Sequence, residues 1–370
     1  MPPRITTMTG RLAAVFLALA VYFVGGASVA SADGKPLTSI PEGLGFPVIV
    51  RTGVNFLELN EVNQNDGTFT AMVDIRLRWT DSRLAFPANM NAAGYLDYAG
   101  PAAKAKLEEI WSPQAELRNL VGTATYEKLG LRIYPSGATE LMQRTSGTFL
   151  TGFDLSRFPF DRQRLRIELI TRAESDRRVK FDFRQDELEF SNTANRVESD
   201  GWSIGQLELS QTSYPAWRGE LNTGVFAELL VQRNQPSLLA TVFVPLVASL
   251  LIPLLVFWLN RKEEGVFMIE AFELTNIVCG GLFAVVALNF TINSSFPGLA
   301  VGDNPVMRLF ALNYITLFIA LGASLFLYRF NVIRAWFGQY VQEEFFLFVN
   351  WGIPALVMAT AVAIIALAAV

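Results

Sequence analysis

The spacing of apolar residues divides the chain into two parts. Up to residue 233, short runs alternate apolar and polar residues with a period of two, which is typical of β-strands. From residue 234 onward the apolar runs are long and nearly uninterrupted. The clearest short run is FTAMVDIRLRW (69–79), whose apolar face holds Ala71, Val73, Ile75, Leu77 and Trp79. The change of pattern predicts a β domain followed by helices.

Several other runs in the first part have strand-like length, and turn signals such as Asn65-Asp66-Gly67 separate them. They are Gly130 to Tyr134, Ser146 to Gly152, Arg164 to Thr171, Val179 to Phe183, Ser203 to Ser210 and Val225 to Gln232. Many short strands at this spacing predict an antiparallel, immunoglobulin-like β-sandwich over residues 33–233. Residues 102–110 predict a short helix or a loop insert.

Four apolar runs in the second part are long enough to cross a bilayer. They cover residues 236–258, 269–293, 307–328 and 345–370, and they predict an all-α, four-helix transmembrane bundle over residues 234–370. Arg261 and Lys262 follow the first run, Arg329 and Arg334 follow the third, and the linker SSFPGLAVGDNP after the second has no Lys or Arg. The positive-inside rule places the basic linkers in the cytoplasm and the β domain and C-terminus outside.

Residues 1–32 have the pattern of a secretory signal peptide. Arg4 and Arg11 precede an apolar stretch, and Ala30-Ser31-Ala32 is typical of a cleavage site. An uncleaved first membrane helix is the alternative. Either form would export the domain that follows.

Composition narrows the function classes further. Of the 370 residues, 51% are hydrophobic and 17% charged, which is too apolar for an ordinary soluble protein. The chain has no histidine and one cysteine, Cys279, so a His/Cys zinc site, a Ser-His-Asp or Cys-His catalytic centre and an intrachain disulfide are excluded. The net charge of −4, without a basic run, gives no reason to expect nucleic acid. We expect no enzyme, metal or cofactor.

Four motifs occur in register with the apolar runs. They are WTDSRL (79–84), IWSP (110–113) with Asn119, FPFDRQ (158–163), and Arg233 just before the first run. Together they resemble the pentameric ligand-gated ion channel family, most closely its prokaryotic members. The resemblance implies a homopentamer of identical subunits in a bacterial inner membrane, in contact with lipid, with a periplasmic ligand-binding domain. The disulfide of the animal members is absent, because the matching positions are Thr151 and Leu165.

The resemblance assigns the FPFD segment to the junction between the two domains. It implies that Phe158, Pro159 and Phe160 rest on the loop near Phe296 and Pro297. It also implies a charge pair between Asp161 and Arg233, although Asp161 capping a turn is the alternative. Family members usually add a third charged residue, an acid from the first hairpin turn, to this pair. Here the matching residue is Gln64, with Asp66 nearby, so the third charge is in doubt.

The second apolar run is the most polar of the four, with Asn289 and Asn293 among its residues, and polar groups at membrane depth normally face a cavity or a partner. The resemblance, aligned on Pro297, implies a pore-lining stripe of Glu273, Asn276, Gly280, Phe283, Ala287, Phe290 and Ser294. Carboxylates at Glu273 and Glu270 would favour permeating monovalent cations. Alternatively, these acids pair with Arg261 or Lys262. A ring of Phe283 side chains would close the pore by dewetting, unless Phe283 packs on a neighbouring helix and Ala284 faces the pore.

The resemblance also implies an agonist site between subunits. The candidates are Asp74 and Arg76 on one side and Arg118, Arg172, Tyr214 and Trp217 on the other. Asp74 and Arg118 stand where an aromatic cage for a quaternary amine would need rings, so an acetylcholine-like agonist is disfavoured. A carboxylate or a proton is the expected agonist, and the acidic segment 182–189 is one place where a proton could bind. Alternatively, the charged residues of the candidate site are only solvated. An anion-selective channel and a non-conducting membrane-anchored receptor remain alternatives.

Overall fold

The computed structural model describes residues 37–369 except 44, 173, 195, 196, 198, 235, 260, 261, 264, 265 and 268. The expected signal peptide, residues 1–32, lies outside the described residues. Arg261 of the first basic linker lies outside them as well.

Within the described part of the first half, ten strands form two sheets. In chain order they are β1 Val48–Asn63, β2 Thr68–Thr80, β3 Leu96–Ala99, β4 Ala115–Leu117, β5 Tyr126–Ile133, β6 Ala138–Leu150, β7 Arg162–Thr171, β8 Val179–Asp182, β9 Trp202–Pro215 and β10 Leu221–Arg233. The larger sheet has the order β3-β5-β6-β2-β1-β8 and the smaller β4-β7-β10-β9. All neighbours are antiparallel except β1 and β8, which are parallel.

The sandwich core forms because the alternating apolar residues of both sheets face one another. On β2, the predicted inward face is buried throughout, from Ala71 to Trp79. Leu165 and Ile167 of β7 and Ala227 of β10 are fully buried in the same cluster. Two strands of alternating pattern therefore bury one face each, which stabilises the pair of sheets. The predicted β-sandwich is confirmed.

Two short helices decorate the sandwich. Helix α1, Pro101–Glu109, begins with a proline at its first position, where the missing N–H costs nothing. Helix α2, Gln185–Phe190, lies on β1 and was not predicted. It packs closely because Gly53 has no side chain, since a Cβ there would lie 2.8 Å from the Phe190 ring.

The second half contains four helices long and apolar enough to cross a membrane, so the predicted transmembrane bundle is confirmed. They are α3 Pro236–Leu259, α4 Ala271–Ser295, α5 Pro305–Arg329 and, after the short α6 Val332–Phe337, α7 Gln339–Ala369. A two-residue ladder, Lys262–Glu263 with Val266–Phe267, connects α3 to α4.

Two of these helices begin earlier than the apolar runs predict. Helix α5 begins at Pro305 because the Asn304 side chain accepts a hydrogen bond from the Met307 N–H at 3.0 Å. Helix α7 begins at Gln339 rather than at 345. Its first turns are polar, but Gln342 is buried and its amide binds Asn331 Oδ1 and the Arg334 N–H at 2.9 and 2.8 Å.

Candidate functional site

The loop between β6 and β7 carries the FPFD segment to the helices. Phe158 is fully buried and belongs to the apolar cluster of the helical half rather than to the sandwich core. Its ring centroid lies 6.5 Å from that of Phe243 on α3 and 6.1 Å from that of Phe296 after α4. Pro159 is also buried, whereas Phe160 is half-buried. Phe158 is therefore the side chain by which this loop reaches two helices at once.

Hydrogen bonds within the chain fix the shape of this loop. The Gln163 side chain donates to the Asp154 carbonyl at 2.7 Å and accepts from the Asp154 N–H at 2.9 Å. Asp154 Oδ1 accepts from the Ser156 N–H, which holds the pKa of the Asp154 carboxyl below its usual value. Thr151 Oγ1 donates to the Arg164 carbonyl at 3.1 Å. This bond ties the two ends of the loop together close to Leu165.

Arg233, the last residue of β10, forms a buried ion pair with Asp161. Its Nε and Nη2 lie 2.7 and 3.0 Å from the two carboxylate oxygens of Asp161. The side chains of Arg233 and Asp161 are 3% and 1% exposed. Gln163 donates a further hydrogen bond to Asp161 at 2.6 Å. A bidentate pair satisfied in this way is geometrically rigid.

Two more contacts complete the surroundings of Arg233. Its Nη2 donates to Gln64 Oε1 at 2.7 Å. The Gln64 amide therefore takes the place beside Arg233 where the resemblance implies a further acid. The guanidinium lies 4.3 Å from the Trp202 ring centroid and 5.1 Å from that of Phe158. The β1–β2 turn, the β6–β7 loop, β9 and β10 therefore meet at one cation, directly before α3 begins.

The loop after α4 closes the junction from the membrane side. Residues Pro297–Ala300 form a single 3₁₀ turn. Gly298 lies so close to the β6–β7 loop that a Cβ there would be 3.0 Å from Leu155 Cδ1. Pro297 itself is exposed. The structure thus brings Phe158 and Phe296 together, with Asp161 and Arg233 beside them.

Helix α4 has one buried face and one face that the rest of the chain leaves uncovered. The buried residues are Leu274, Val278, Gly281, Val285 and Ile292. All seven residues of the predicted pore stripe are exposed, and Phe283 and Phe290 are 76% and 75% exposed. Ala284 is exposed too. Exposure in the single chain therefore does not distinguish Phe283 from Ala284 as the inward position.

Two of the polar residues on α4 have partners within the chain. Asn289 donates to the Tyr314 hydroxyl on α5 at 3.5 Å, and Asn293 donates to Asn289 Oδ1. Both are half-buried. Their presence in a membrane helix is thus accounted for without a water-filled cavity, and only Asn276 remains as an exposed amide on the stripe.

The predicted ligand residues of the larger sheet, Asp74 and Arg76, each form an ion pair with another residue of the chain. Arg144 binds both carboxylate oxygens of Asp74 at 2.7 and 2.8 Å, and Asp74 is largely buried beneath this contact. The Glu187 carboxylate of α2 is fully buried and pairs with Arg76 and Arg78. Burial and then the neighbouring Arg78 lower the pKa of Arg76.

The predicted ligand residues of the smaller sheet surround Glu168. Arg118 Nη1 lies 2.8 Å from Glu168 Oε2, and the Tyr214 hydroxyl donates to the same oxygen at 3.0 Å. The Arg118 guanidinium lies 4.4 Å from the Tyr214 ring centroid. Burial, and then the Glu168 carboxylate, raise the pKa of Tyr214. The chain therefore places its own cation on the tyrosine ring.

A cleft of about 810 Å³ adjoins this cluster, and Arg118, Arg172, Tyr214 and Trp217 line it. Trp217 is 92% exposed, and Arg172 pairs with Glu116. Asp74 and Arg76 lie on the other sheet and do not line this cleft. The two groups of predicted ligand residues do not meet within one chain.

Sequence reasoning missed residues in each of these clusters, among them Arg144 beside Asp74 and Glu168 beside Arg118. Gln163 and Trp202 support the Asp161–Arg233 pair, and Glu187 supports Arg76 and Arg78. Gln163 was visible in the FPFDRQ motif, but nothing in the spacing of Trp202 or Glu187 indicated these contacts. The pairing of β9 with β10 brings Trp202 to Arg233, and the packing of α2 on the larger sheet brings Glu187 to Arg76 and Arg78.

Comparisons with known proteins agree with this geometry. Residues 38–235 match the family described as "Neurotransmitter-gated ion-channel ligand binding domain". The chain is 24% identical over 266 residues to a protein named "Proton-gated ion channel" from Gloeobacter violaceus, covering 71% of this chain and 69% of the relative. It is 23% identical over 226 residues to the human gamma-aminobutyric acid receptor subunit rho-3, covering 59% and 46%. The bovine rho-2 subunit is 23% identical over 235 residues, covering 62% and 49%. The match thus spans about half the length of these receptor subunits.

Proposed function

The chain belongs to the pentameric ligand-gated ion channel family, and from that premise we propose that it forms a homopentameric, cation-selective channel whose gate responds to an agonist on the β domain. We place it in a bacterial inner membrane with the β domain in the periplasm, and we propose no catalytic activity. The carrying observation is the face of α4 that runs from Glu273 to Ser294, which the other helices of the chain leave uncovered.

A ring of identical subunits gives this uncovered face a function. One helix cannot enclose water, so several copies of α4 must surround a common axis, and a ring is the closed arrangement for a head-to-tail interface. Glu273 would then form a ring of carboxylates at the cytoplasmic end, with Glu270 adding to the same field. Such a ring attracts cations and repels anions.

The apolar part of the stripe supplies a gate. Phe283 and Phe290 are large, apolar and uncovered by their own chain. Rings of phenylalanine would exclude water from a narrow pore and close it to ions. Asn276 would provide a polar constriction nearer to the cytoplasm, and the small residues Gly280 and Ala287 would leave the pore wider between the rings.

The junction transmits the state of the β domain to this gate. Phe158 contacts α3 and the loop after α4. A shift of the β6–β7 loop therefore changes the packing contacts at the ends of both helices. The Asp161–Arg233 pair, with Pro159 and Phe160 beside it, holds that loop to the strand that leads into α3. Agonist binding that favours one arrangement of the sandwich thereby favours one arrangement of α4.

The agonist site lies between neighbouring subunits in this proposal. The cleft beside Arg118, Arg172, Tyr214 and Trp217 would face Asp74 and Arg76 of the next copy. The Arg118 guanidinium already lies over the face of the Tyr214 ring. That face is therefore not free for a cationic amine, which argues against such an agonist. The relative from Gloeobacter violaceus is named a proton-gated channel, so acid is the first stimulus to apply, followed by small carboxylates.

An ion-flux measurement tests the proposal. Purified protein is placed in a planar bilayer with unequal NaCl concentrations, and the β-domain side is stepped from neutral to acidic pH and then supplied with carboxylates. Current that reverses near the sodium equilibrium potential is expected, and in Glu273→Gln the reversal potential should move toward zero. Reversal near the chloride potential in the wild type would favour the anion-selective alternative.

A second readout separates the channel from a non-conducting receptor. The mass of the detergent-solubilised protein should equal five chains. A monomeric mass would overturn the channel assignment. Binding of a stimulus without current, in both the wild type and Phe283→Ala, would also overturn it and favour the membrane-anchored receptor.

A further inference from the structure

Helix α3 contains a π turn close to the junction. Residues Leu239–Phe243 form this turn, and the Val244 N–H donates to the Leu239 carbonyl, five residues back instead of four. Such turns are rare, and they occur mostly as single-turn bulges inside α-helices, frequently at functional sites. The segments on both sides, Pro236–Leu238 and Val244–Leu259, are α-helical. The π turn is therefore an interruption within one membrane helix.

The spacing of buried residues indicates that the turn holds one extra residue. Leu238 and Leu246 are buried on either side of it and lie eight positions apart, whereas Leu246 and Pro253, both buried in the regular part, lie seven apart. Two α-helical turns take about 7.2 residues, so eight residues in a regular helix would rotate one end by about 80°. The extra residue thus keeps both ends of α3 facing the helix bundle.

The near side of the turn is fixed to the β domain. Arg233 is held by Asp161, and only two residues separate it from Pro236 at the start of α3. Phe243, the last residue of the turn, stacks on Phe158 with the ring centroids 6.5 Å apart. The first residues of α3 therefore follow the position of the β6–β7 loop and of β10.

The far side of the turn is fixed to the pore helix instead. A Cβ on Gly281 of α4 would lie 2.8 Å from Ile252 Cγ2 of α3. Leu250 of α3 and Val285 of α4 are fully buried in the same apolar cluster. A rotation across the π turn therefore moves the β domain and the pore helix relative to each other.

A proline next to the turn makes the α-helical form of this segment less favourable. In an α-helix the ring of Pro245 would clash with the Thr241 carbonyl, and no N–H would donate to that carbonyl. The Thr241 hydroxyl also donates to the Ser237 carbonyl at 2.9 Å, a contact that bends helices. Pro253 lies in the regular part of the same helix, so a proline alone does not create a π turn. Hydrogen-bond geometry favours the α form, and Pro245 and the Phe158 contact oppose it.

We propose that Leu239–Phe243 is a register switch, a segment that alternates between the π turn and a regular α-helical turn. In the α form the start of α3 rotates by about 80° against the rest of the helix, and Phe243 leaves the Phe158 ring. The role in gating rests on the proposed channel function, because a shift of the β6–β7 loop then favours one form of the switch and thereby one position of α4.

Two single-residue deletions test whether the turn holds a removable residue. Ala240 in the π turn and Ala248 in the regular part of α3 are both exposed alanines. Deletion of Ala240 keeps both flanking segments in register, so the detergent-solubilised protein should keep the assembly mass of the wild type. Deletion of Ala248 rotates Leu250 and Phe257 away from the bundle, and it should lower the unfolding temperature by about 5 °C more than the other deletion. Equal losses would overturn the proposal.

Hydrogen exchange tests whether the turn changes form. Peptides covering residues 236–246 are followed by mass spectrometry at neutral pH in the wild type and in the Ala240 deletion. A segment that alternates between two hydrogen-bonding patterns opens its amides, whereas the deletion holds only the α form, so the wild-type segment should exchange at least about ten-fold faster. Peptides covering residues 247–259 are the control and should exchange equally. Equal exchange at 236–246 would overturn the switch, whether or not the protein conducts.

Current measurements connect the switch to gating. Where acid evokes a current in the wild type, the Ala240 deletion should no longer change its conductance with pH, because it has only one form. A deletion variant that responds as the wild type does would overturn the role in gating and leave the channel proposal intact. A wild type that never conducts would overturn the channel proposal, and the exchange comparison would then decide the switch alone.

Discussion

Arg233 shows how much of the site depends on a single side chain. Its guanidinium contacts Asp161, Gln64, Trp202 and Phe158, and it is almost fully buried. The sequence motif predicts the partner Asp161 because both residues stand in recognisable positions. It does not predict Gln64 as an acceptor or Trp202 as a platform. Those contacts depend on where the β1–β2 turn and the start of β9 come to lie in space.

Removing Asp161 should be strongly destabilising. Asp161→Ala leaves the buried Arg233 charge without its main partner, which costs about 3–5 kcal/mol of unfolding free energy. Chemical denaturation of the detergent-solubilised protein measures the loss. The matched control is Asp303→Ala, because Asp303 also binds an arginine through two oxygens but at the surface. Water replaces that contact, so its unfolding midpoint should stay unchanged, and equal losses in the two variants would contradict the burial argument.

Tyr214 should ionise only in strongly alkaline solution. Its pKa is raised above the ordinary value of 10.0 because it is partly buried and donates to the Glu168 carboxylate. A raised folded-state pKa means that the contribution to stability is fully present below the unfolded pKa. It is lost as the pH rises through the folded one. The ultraviolet difference titration between the wild type and Tyr214→Phe should therefore show a midpoint above 10.0, and a midpoint at or below it would contradict the contact.

At the scale of elements, the adjacent glycines of α4 provide a matched pair. A Cβ on Gly281 would lie 2.8 Å from Ile252 Cγ2 of α3 and 3.1 Å from Leu317 Cδ2 of α5, whereas a Cβ on Gly280 would meet nothing within 4 Å. Gly281 therefore lets three helices approach closely, as small residues do in membrane bundles. Gly280 has no such role within its own chain.

Alanine at the two positions should act in opposite directions. Gly281→Ala should destabilise the helical half by about 1–3 kcal/mol, because the helices must separate. Gly280→Ala should be neutral or stabilise by up to about 1 kcal/mol, since alanine favours the helix. Thermal unfolding of both variants in the same detergent makes the comparison. Similar losses would show that a neighbouring subunit packs against Gly280 as tightly as α3 and α5 pack against Gly281.

Accessibility along α4 tests which face meets water. In a Cys279→Ser background, Phe283→Cys should react with a charged, water-soluble thiol reagent and block the current. Val285→Cys should not react, because Val285 is fully buried against the other helices. Ala284→Cys decides between the two registers that exposure leaves open. Reaction at 284 without reaction at 283 would rotate the proposed pore face by one residue.

The elements themselves were predictable to different degrees. Strands with a buried and an exposed face, such as β2, follow directly from their alternation. Strand β9 extends beyond its predicted run at both ends because it is an edge strand with mostly exposed residues, so apolar alternation does not mark its limits. The polar start of α7 was missed because Gln342 is buried through its hydrogen bonds and not through its hydrophobicity.

For the molecule as a whole, Phe158 is the contact by which the sandwich reaches the helices. Phe158→Ala should leave agonist binding to the β domain within about two-fold, because the binding residues lie far along the strands, while the agonist-evoked current falls by at least about ten-fold. Parallel binding and current measurements on the same preparation separate the two effects. Tyr126→Ala is the control, as this exposed ring lies on β5 and not in the β6–β7 loop. Equal loss of binding and current would contradict a role in coupling.

The division into two parts was readable from the sequence because the apolar period changes once, at the end of β10. What the sequence did not provide is the packing between copies. The uncovered face of α4 and the separation of Asp74 from Tyr214 onto two sheets both refer to surfaces that one chain does not complete. Single-chain patterns describe which residues turn inward on their own fold, and they carry no signal for residues that turn toward a neighbour.

The charged cluster at the junction has a practical consequence for exchanging parts between relatives. Gln64, Asp161 and Arg233 all precede α3, so every hydrogen bond of the cluster is made within the β domain. A chimera joined directly after Arg233 would carry the cluster over intact onto the helices of another channel. Such a graft would need aromatic partners for Phe158, here Phe243 and Phe296, and a small residue opposite Leu155, here Gly298. Compatibility between a sensor and a foreign pore would then depend on these apolar contacts rather than on matching charges.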